Sequence, residues 1–159
     1  MTPQEMLQSP FAYMPPERLL DGLAAAEAAR RVPGTQHSIV EILAHLVFWQ
    51  GWFLERVTGR PVPMVSTAAE GWPKAAEAEW DRLRTDFLNG LDRAVALGET
   101  QEALSARVEP AIEFPPLAEY TVREAITHVA IHNAHHLGQI VTLRQLIGAW
   151  PPPAGSWTW

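Results

Sequence analysis

The amino-acid sequence predicts an all-α protein with the architecture of a four-helix bundle. Proline and glycine divide the chain into four long segments with helical periodicity, and no segment shows the alternating pattern of a β-strand. Each segment has one apolar face, and such faces are most simply buried against each other. With 159 residues, of which 47% are hydrophobic, the chain can form one sizeable core. We therefore expect a single domain over residues 1–159, with its helical core over about 16–148.

The first two predicted helices are delimited by proline, capping residues and glycine. The first extends from about Pro16 to Arg31, because proline at the first helical position loses no hydrogen bond and a Pro-Gly pair follows the segment. The second extends from Ser38 to Thr58. Ser38 and Glu41 have the spacing of a capping box, and Gly59 follows the last turn. The short linker between the two helices favours an antiparallel pair.

The third helix is predicted from about Pro73 to the residue before Gly98. Its apolar residues recur at intervals of three and four: Trp80, Leu83, Phe87, Leu91 and Val95. The connections at residues 59–72 and 99–120 are long and contain proline, so we expect loops that cover one end of the bundle.

The fourth helix is predicted from a second capping box to a Gly-Pro stop. Thr121 and Glu124 form the box, and the helix extends to about Ile147, before Gly148.

Composition excludes several classes of function. Twelve Lys and Arg against eighteen Asp and Glu give a net charge of −6, so neither nucleic acid nor an anionic membrane is an expected partner. No apolar stretch approaches the roughly 18 residues of a membrane span. The first residues lack the features of a secretory signal, which predicts a cytoplasmic protein. The chain has no cysteine, so disulfides, thiolate ligands and a cysteine nucleophile are excluded.

The positions of the histidines are the feature of the sequence that indicates a functional site. The fourth predicted helix contains His128, His132, His135 and His136 within nine residues. His132 and His136 lie about 40° apart on the apolar face of that helix, one turn from each other. His45 occupies an inward sector of the second helix, and three neutral imidazoles form a common transition-metal site.

Two alternatives remain open on spacing alone. His128 is as well placed as His136 to pair with His132, and any of these residues can be an ordinary core histidine. His37, directly before the second helix, is expected at the surface or in a hydrophobic staple.

The protein is not expected to be a zinc protease, because the H-E-x-x-H motif requires glutamate where this chain has Asn133. Glu113 and Glu119, in the second long connection, are the candidates for a general base, although solvated loop carboxylates are the commoner explanation. Glu41 and Glu124 are explained as capping residues.

Two segments resemble the signatures of the DinB/YfiT-like superfamily: H-S-I-V-E-I-L-A-H-L at residues 37–46 and H-N-A-H-H-L-G-Q-I at 132–140. The resemblance spans roughly residues 16–148 and implies a four-helix bundle that forms homodimers. It also implies that His45, His132 and His136 bind a divalent transition metal (Zn, Ni, Fe, Co or Mn), with His128 outside the ligand set. Characterised relatives include transferases and isomerases that use a low-molecular-weight thiol, which implies such a thiol as cosubstrate.

The leading hypothesis is a metal-dependent enzyme of the thiol-transferase or hydrolase type, acting on a small molecule. Trp49 and Trp52, near His45, are expected to form the wall of an apolar pocket. The alternatives are a non-catalytic, metal-stabilised dimeric binding or stress-response protein, and a helical bundle whose histidines belong to the core. The tryptophan-rich tail from Trp150 to Trp159 is a candidate contact between the two copies of a homodimer.

Overall fold

A computed structural model of the protein describes residues 2–8 and 13–156. Within these ranges the chain forms seven α-helices and no β-strand, apart from one isolated bridge between Arg107 and Thr121. The predicted all-α class is therefore confirmed. The helices are α1 Pro3–Gln8, α2 Pro16–Leu20, α3 Ala25–Ala29, α4 Ile39–Val57, α5 Trp80–Leu97, α6 Gln101–Ser105 and α7 Val122–Leu146. Short 3₁₀ turns lie at Ala68–Gly71, Glu77–Glu79 and Pro115–Leu117.

The long helices α4 and α7 begin as the sequence predicts. The carboxylate of Glu41 accepts hydrogen bonds from the backbone nitrogen of Ser38, at 2.8 Å, and from its hydroxyl, at 3.0 Å. The Glu124 carboxylate accepts the equivalent bonds from Thr121, both at 2.7 Å. These bonds satisfy donors that the first turn of a helix leaves without partners. Gly59, with φ of +87°, follows α4 as predicted.

The prediction of one continuous helix over residues 16–31 is wrong, since this segment is divided into α2 and α3. The chain turns at Gly22, whose φ of +66° suits glycine. The side chain of Arg144, which is buried in α7, donates to the backbone carbonyl oxygens of Leu19 and Asp21. A continuous helix would use those carbonyls for its own hydrogen bonds. A long-range contact therefore overrides the local helical pattern.

The structure consequently has three long helices, and each short helix packs against at least one of them. α4 packs against α5 and α7, whereas α1 packs against α7 and α5. α5 begins at Trp80 and not at the predicted Pro73. Residues 73–76 have no regular structure, and the 3₁₀ turn follows them. The Glu79 carboxylate accepts a hydrogen bond from the backbone nitrogen of Ala76 at 3.0 Å and so holds that turn at the start of α5.

The two long connections are not plain loops. The first contains two 3₁₀ turns, and the second contains α6, which packs against α7, and a further 3₁₀ turn. Buried Arg56 of α4 donates to the carbonyl oxygens of Pro110, at 2.5 Å, and Ala111, at 2.7 Å. The second connection is thereby held against α4. None of the helices found in the described ranges is long and apolar enough to cross a membrane.

Candidate metal centre

His45, His132 and His136 converge between α4 and α7. Each side chain offers one ring nitrogen to a group in which all the nitrogens lie within 4.8 Å of one another. The Nε2 atoms of His45 and His132 are 3.0 Å apart. The 3.0 Å separation of these two atoms is compatible with one ion that has metal–nitrogen bonds of about 2.0–2.1 Å. The structure thus brings together the three residues that the sequence singled out.

In His45 and His136, a hydrogen bond at Nδ1 leaves Nε2 free to bind a metal. Nδ1 of His45 lies 2.6 Å from the carbonyl oxygen of Gly71, which can only accept, so Nδ1 carries the hydrogen. Nδ1 of His136 lies 2.8 Å from Oε1 of Gln139, and Nε2 of Gln139 lies 3.3 Å from Nε2 of His135. Both ligand candidates therefore present the lone pair of Nε2 to the cluster. Metal-binding histidines usually have such a partner on the second nitrogen, so the donor set fits a divalent transition metal.

Burial keeps the three imidazoles neutral. His45 and His136 are 5% and 7% exposed. Burial is the largest cause and repulsion from His136 a smaller one, and together they lower the pKa of His45 to about 4 and that of His132 to about 3. Burial also lowers the pKa of His136, against the hydrogen bond to Gln139, which raises it. At neutral pH all three rings therefore have an unprotonated nitrogen, as metal binding requires.

Trp72 covers His45, a contact that the sequence did not predict. Its indole lies between two imidazoles: the ring centroid of His45 is 3.7 Å away at an interplanar angle of 11°, and that of His37 is 3.9 Å away at 8°. His37 is half-buried, and one face of its ring packs on Trp72. The signal available in the sequence was a tryptophan in a connection, between Gly71 and Pro73.

Trp49 and Trp52 anchor the first connection and do not line either cleft beside the cluster. Trp52 is buried and its indole donates to the carbonyl oxygen of Pro63 at 2.9 Å. Trp49 lies against Gly71, where an added Cβ would be 2.7 Å from the indole nitrogen. The expectation that these two residues form the pocket wall does not hold for these two clefts, since Trp52 is bonded to Pro63 and Trp49 packs against Gly71.

His128 lies outside the three-residue group, as the resemblance implied. Its Nδ1 is 3.2 Å from the hydroxyl of Tyr120, and its ring centroid is 4.7 Å from that of Phe53. Burial lowers its pKa. The spacing of the histidines left the pairing of His132 open, and the structure groups it with His136.

Glu113 and Glu119, the candidates for a general base, are both exposed in the second connection. Glu119 forms an exposed ion pair with Arg107. Asn133, which replaces the glutamate of a zinc protease, is buried and donates to Oε1 of Gln50 at 3.0 Å, away from the imidazoles.

Two clefts lie beside the cluster. One, of about 450 Å³, is bounded by Trp72, by the chain before α4, and by the C-terminal half of α7 from Gln139 onward. The other, of about 620 Å³, is bounded by the N-terminal half of α7, including His132, and by Tyr120.

In the tryptophan-rich tail, Trp150 contacts Arg144 of the same chain, and the guanidinium carbon is 5.8 Å from the ring centroid. Residues 157–159 lie outside the described ranges.

Comparison with known proteins gives one result that bears on identity. Searches of curated proteins and of solved structures found no match. The family model of the DinB superfamily, however, matches residues 16–140, which include both histidine segments and all of the three-residue group. Since this match covers most of the chain, the protein belongs to the DinB superfamily.

Proposed function

We propose that the protein is a divalent-metal-dependent enzyme of the thiol-transferase or hydrolase type that acts on a small molecule. The observation that carries the proposal is the convergence of three neutral imidazoles, those of buried His45 and His136 and half-buried His132, beside two clefts. A divalent ion bound there lowers the pKa of a coordinated thiol or water, and so provides a nucleophile near neutral pH. Zn, Ni, Fe, Co and Mn are all compatible with three imidazole ligands.

The chain's own residues have separate roles in this proposal. The three histidines hold the ion, while the Gly71 carbonyl and the Gln139 side chain fix two of the rings. The stacked indole of Trp72 excludes water from one side of His45. Because the chain has no cysteine, a transferase would use an external low-molecular-weight thiol as cosubstrate.

The first test is elemental analysis of untagged protein. We expect about one divalent ion per chain in the wild type and loss of that ion in His45→Ala and His132→Ala. His128→Ala is the matched control, because it removes an imidazole from the same helix as His132 but outside the three-residue group, and it should retain the metal. Equal metal content in all four proteins, or no metal after reconstitution, would contradict the proposal.

The second test separates an enzyme from a metal-stabilised binding protein. Metal-loaded protein is assayed for conjugation of 1-chloro-2,4-dinitrobenzene to low-molecular-weight thiols, and for hydrolysis of 4-nitrophenyl esters. Turnover that is lost in His132→Ala supports the enzyme. If the panel shows no turnover while a chelator lowers the melting temperature, the non-catalytic alternative is favoured.

We also propose that the protein forms a homodimer. The support is the resemblance to a superfamily in which homodimers are common. Sedimentation at micromolar concentration should give the mass of two chains, and the mass of a single 17.7 kDa chain would contradict the proposal.

A further inference from the structure

The cleft of about 450 Å³ is connected to the histidine cluster by two shared residues. Trp72 forms part of its wall and stacks on His45, and Gln139 forms another part and accepts the hydrogen bond of His136. A molecule in this cleft would therefore contact the same side chains that support two of the metal ligands. The cleft is of the size that small organic ligands occupy in proteins.

The residues around this cleft include one titratable side chain, that of His37, whose ring is stacked on Trp72. None of its lining residues is Lys, Arg, Asp or Glu. Ile42 and Leu143, which are buried, and Leu146, which is exposed, provide apolar surface. The other cleft differs, because Arg123 and Glu124 both line it.

Besides the imidazole of His37, the hydrogen-bonding groups of the first cleft are uncharged amide and hydroxyl groups. Gln36 and Thr142 contribute one of each. Burying a phosphate, carboxylate or ammonium group without an oppositely charged partner is costly, and protein sites for anions normally supply arginine or lysine. An uncharged ligand that makes a few hydrogen bonds carries no such cost.

Trp72 also restricts the shape of the ligand. Both faces of its indole are covered, by His37 and by His45, so only an edge of the ring is available to the cleft. An aromatic edge, which is positively polarised, packs best against the negatively polarised face of another ring. A flat unsaturated molecule therefore complements this wall.

We propose that this cleft binds an uncharged small organic molecule with a flat apolar body. As an assignment of substrate class it rests on the proposed function, but binding itself is measurable without any reaction. The test uses metal-loaded protein and two fluorescent probes, 2-naphthol, which is uncharged at pH 7, and 2-naphthyl phosphate, which shares the ring and adds charge. We expect saturable binding of 2-naphthol, with 2-naphthyl phosphate bound at least about tenfold more weakly.

Two matched variants locate the binding site. Leu146 and Ile131 are both exposed apolar residues of α7, at 59% and 64%, but Leu146 lines this cleft and Ile131 lines the other. Leu146→Arg should weaken 2-naphthol binding by about tenfold and strengthen binding of the phosphate probe, whereas Ile131→Arg should leave both unchanged. Thr142→Trp, also in an exposed position of the cleft, should weaken both probes without adding charge.

The outcomes separate this inference from the proposed function, because metal content is measured on the same samples. Absence of 2-naphthol binding, equal affinity for the two probes, or an effect confined to Ile131→Arg would overturn the inference even if the metal is retained. If the metal is absent but the predicted probe preference and the Leu146→Arg effect remain, the proposed function fails while the binding site stands.

Discussion

The imidazole of His45 donates its Nδ1 hydrogen to the carbonyl oxygen of Gly71 across 2.6 Å. The bond joins α4 to the 3₁₀ turn Ala68–Gly71, which lies in the following connection. It fixes both the tautomer and the orientation of the ring, so Nε2 faces His132. The first connection therefore contributes to the candidate metal centre through its backbone, although no ligand lies in it.

Gly71→Ala should weaken metal binding without removing a ligand. A Cβ at this position would lie 2.7 Å from the indole nitrogen of Trp49, so either the ring or the Gly71 backbone must move. Displacing the carbonyl loosens His45, and loss of such a partner typically lowers metal affinity by about 10–100-fold. Competition with a chromophoric chelator measures the change.

Gly138→Ala is the control for this variant. It adds the same methyl group to α7, two residues after His136, at an exposed position where nothing lies within 4 Å. It should keep wild-type affinity. Wild-type affinity in Gly71→Ala would show that the carbonyl does not position His45.

Two substitutions at Gln139 should have opposite consequences. Gln139→Leu removes the oxygen that accepts from Nδ1 of His136 and should lower metal affinity by about 10–100-fold. Gln139→Glu keeps an acceptor and adds negative charge, which makes the ring a stronger ligand, so affinity should be equal to or higher than that of the wild type. Chelator competition compares the three proteins. Equal losses in both variants would mean that the side chain acts by packing alone.

The stability of the metal-free protein should decrease as the pH is lowered below about 6.5. Unfolded histidines take up protons near their usual pKa of 6.5, whereas in the folded protein burial holds the pKa of His45 at about 4 and that of His132 at about 3. Between these values the unfolded chain binds more protons, so acid favours unfolding, and this contribution levels off once the folded rings also protonate.

Urea unfolding of chelator-treated protein between pH 7 and about pH 4 tests this dependence. Carboxylates also titrate in this range, so the informative quantity is the difference between the wild type and His132→Gln. The variant should show a smaller loss of unfolding free energy over the same interval. Parallel profiles would indicate that His132 is not held neutral by burial.

Local signals predicted the long helices well and the first segment poorly. The capping boxes at Ser38 and Thr121 depend only on neighbouring residues, and both are present in the structure. The break at Gly22 depends on Arg144, which is far away in sequence and takes carbonyl groups from the segment. Periodicity carries no information about such a contact, so the segment was predicted as continuous.

In the candidate site, too, local features were predictable from the sequence and long-range contacts were not. The i, i+4 spacing of His132 and His136 is a local property of one helix, but His128 and His132 have the same spacing, and only the resemblance to a known superfamily separated the two pairs. Trp72 and Gly71 reach His45 only because the first connection folds back over α4. Trp52 is hydrogen-bonded to this connection at Pro63, and Trp49 packs against it at Gly71. Spacing cannot show which of several tryptophans such a connection brings to a site.

Gly90→Ala should destabilise the packing of the three long helices. An added Cβ would clash with Nε2 of the Gln50 side chain. This Nε2 donates to the carbonyl oxygen of Phe87 at 2.8 Å, and Oε1 of the same side chain accepts from Asn133 at 3.0 Å. All of these polar groups are buried between α4, α5 and α7, and a buried group left without its partner costs about 1–3 kcal/mol. The free energy of unfolding in urea should therefore fall by about 2–4 kcal/mol.

Two further variants distinguish this clash from a general effect of alanine. Gly51→Ala adds a methyl group to α4 where nothing lies within 4 Å, and should stabilise the protein by up to about 1 kcal/mol through helix propensity. In a Gln50→Ala background the amide is gone, so Gly90→Ala should cost much less than it does in the wild type. The two substitutions should then be strongly non-additive, with a coupling of about 0.5–3 kcal/mol, because one removes the group that the other displaces. Simple additivity would show that Gly90 is not required for the placement of Gln50 between the helices.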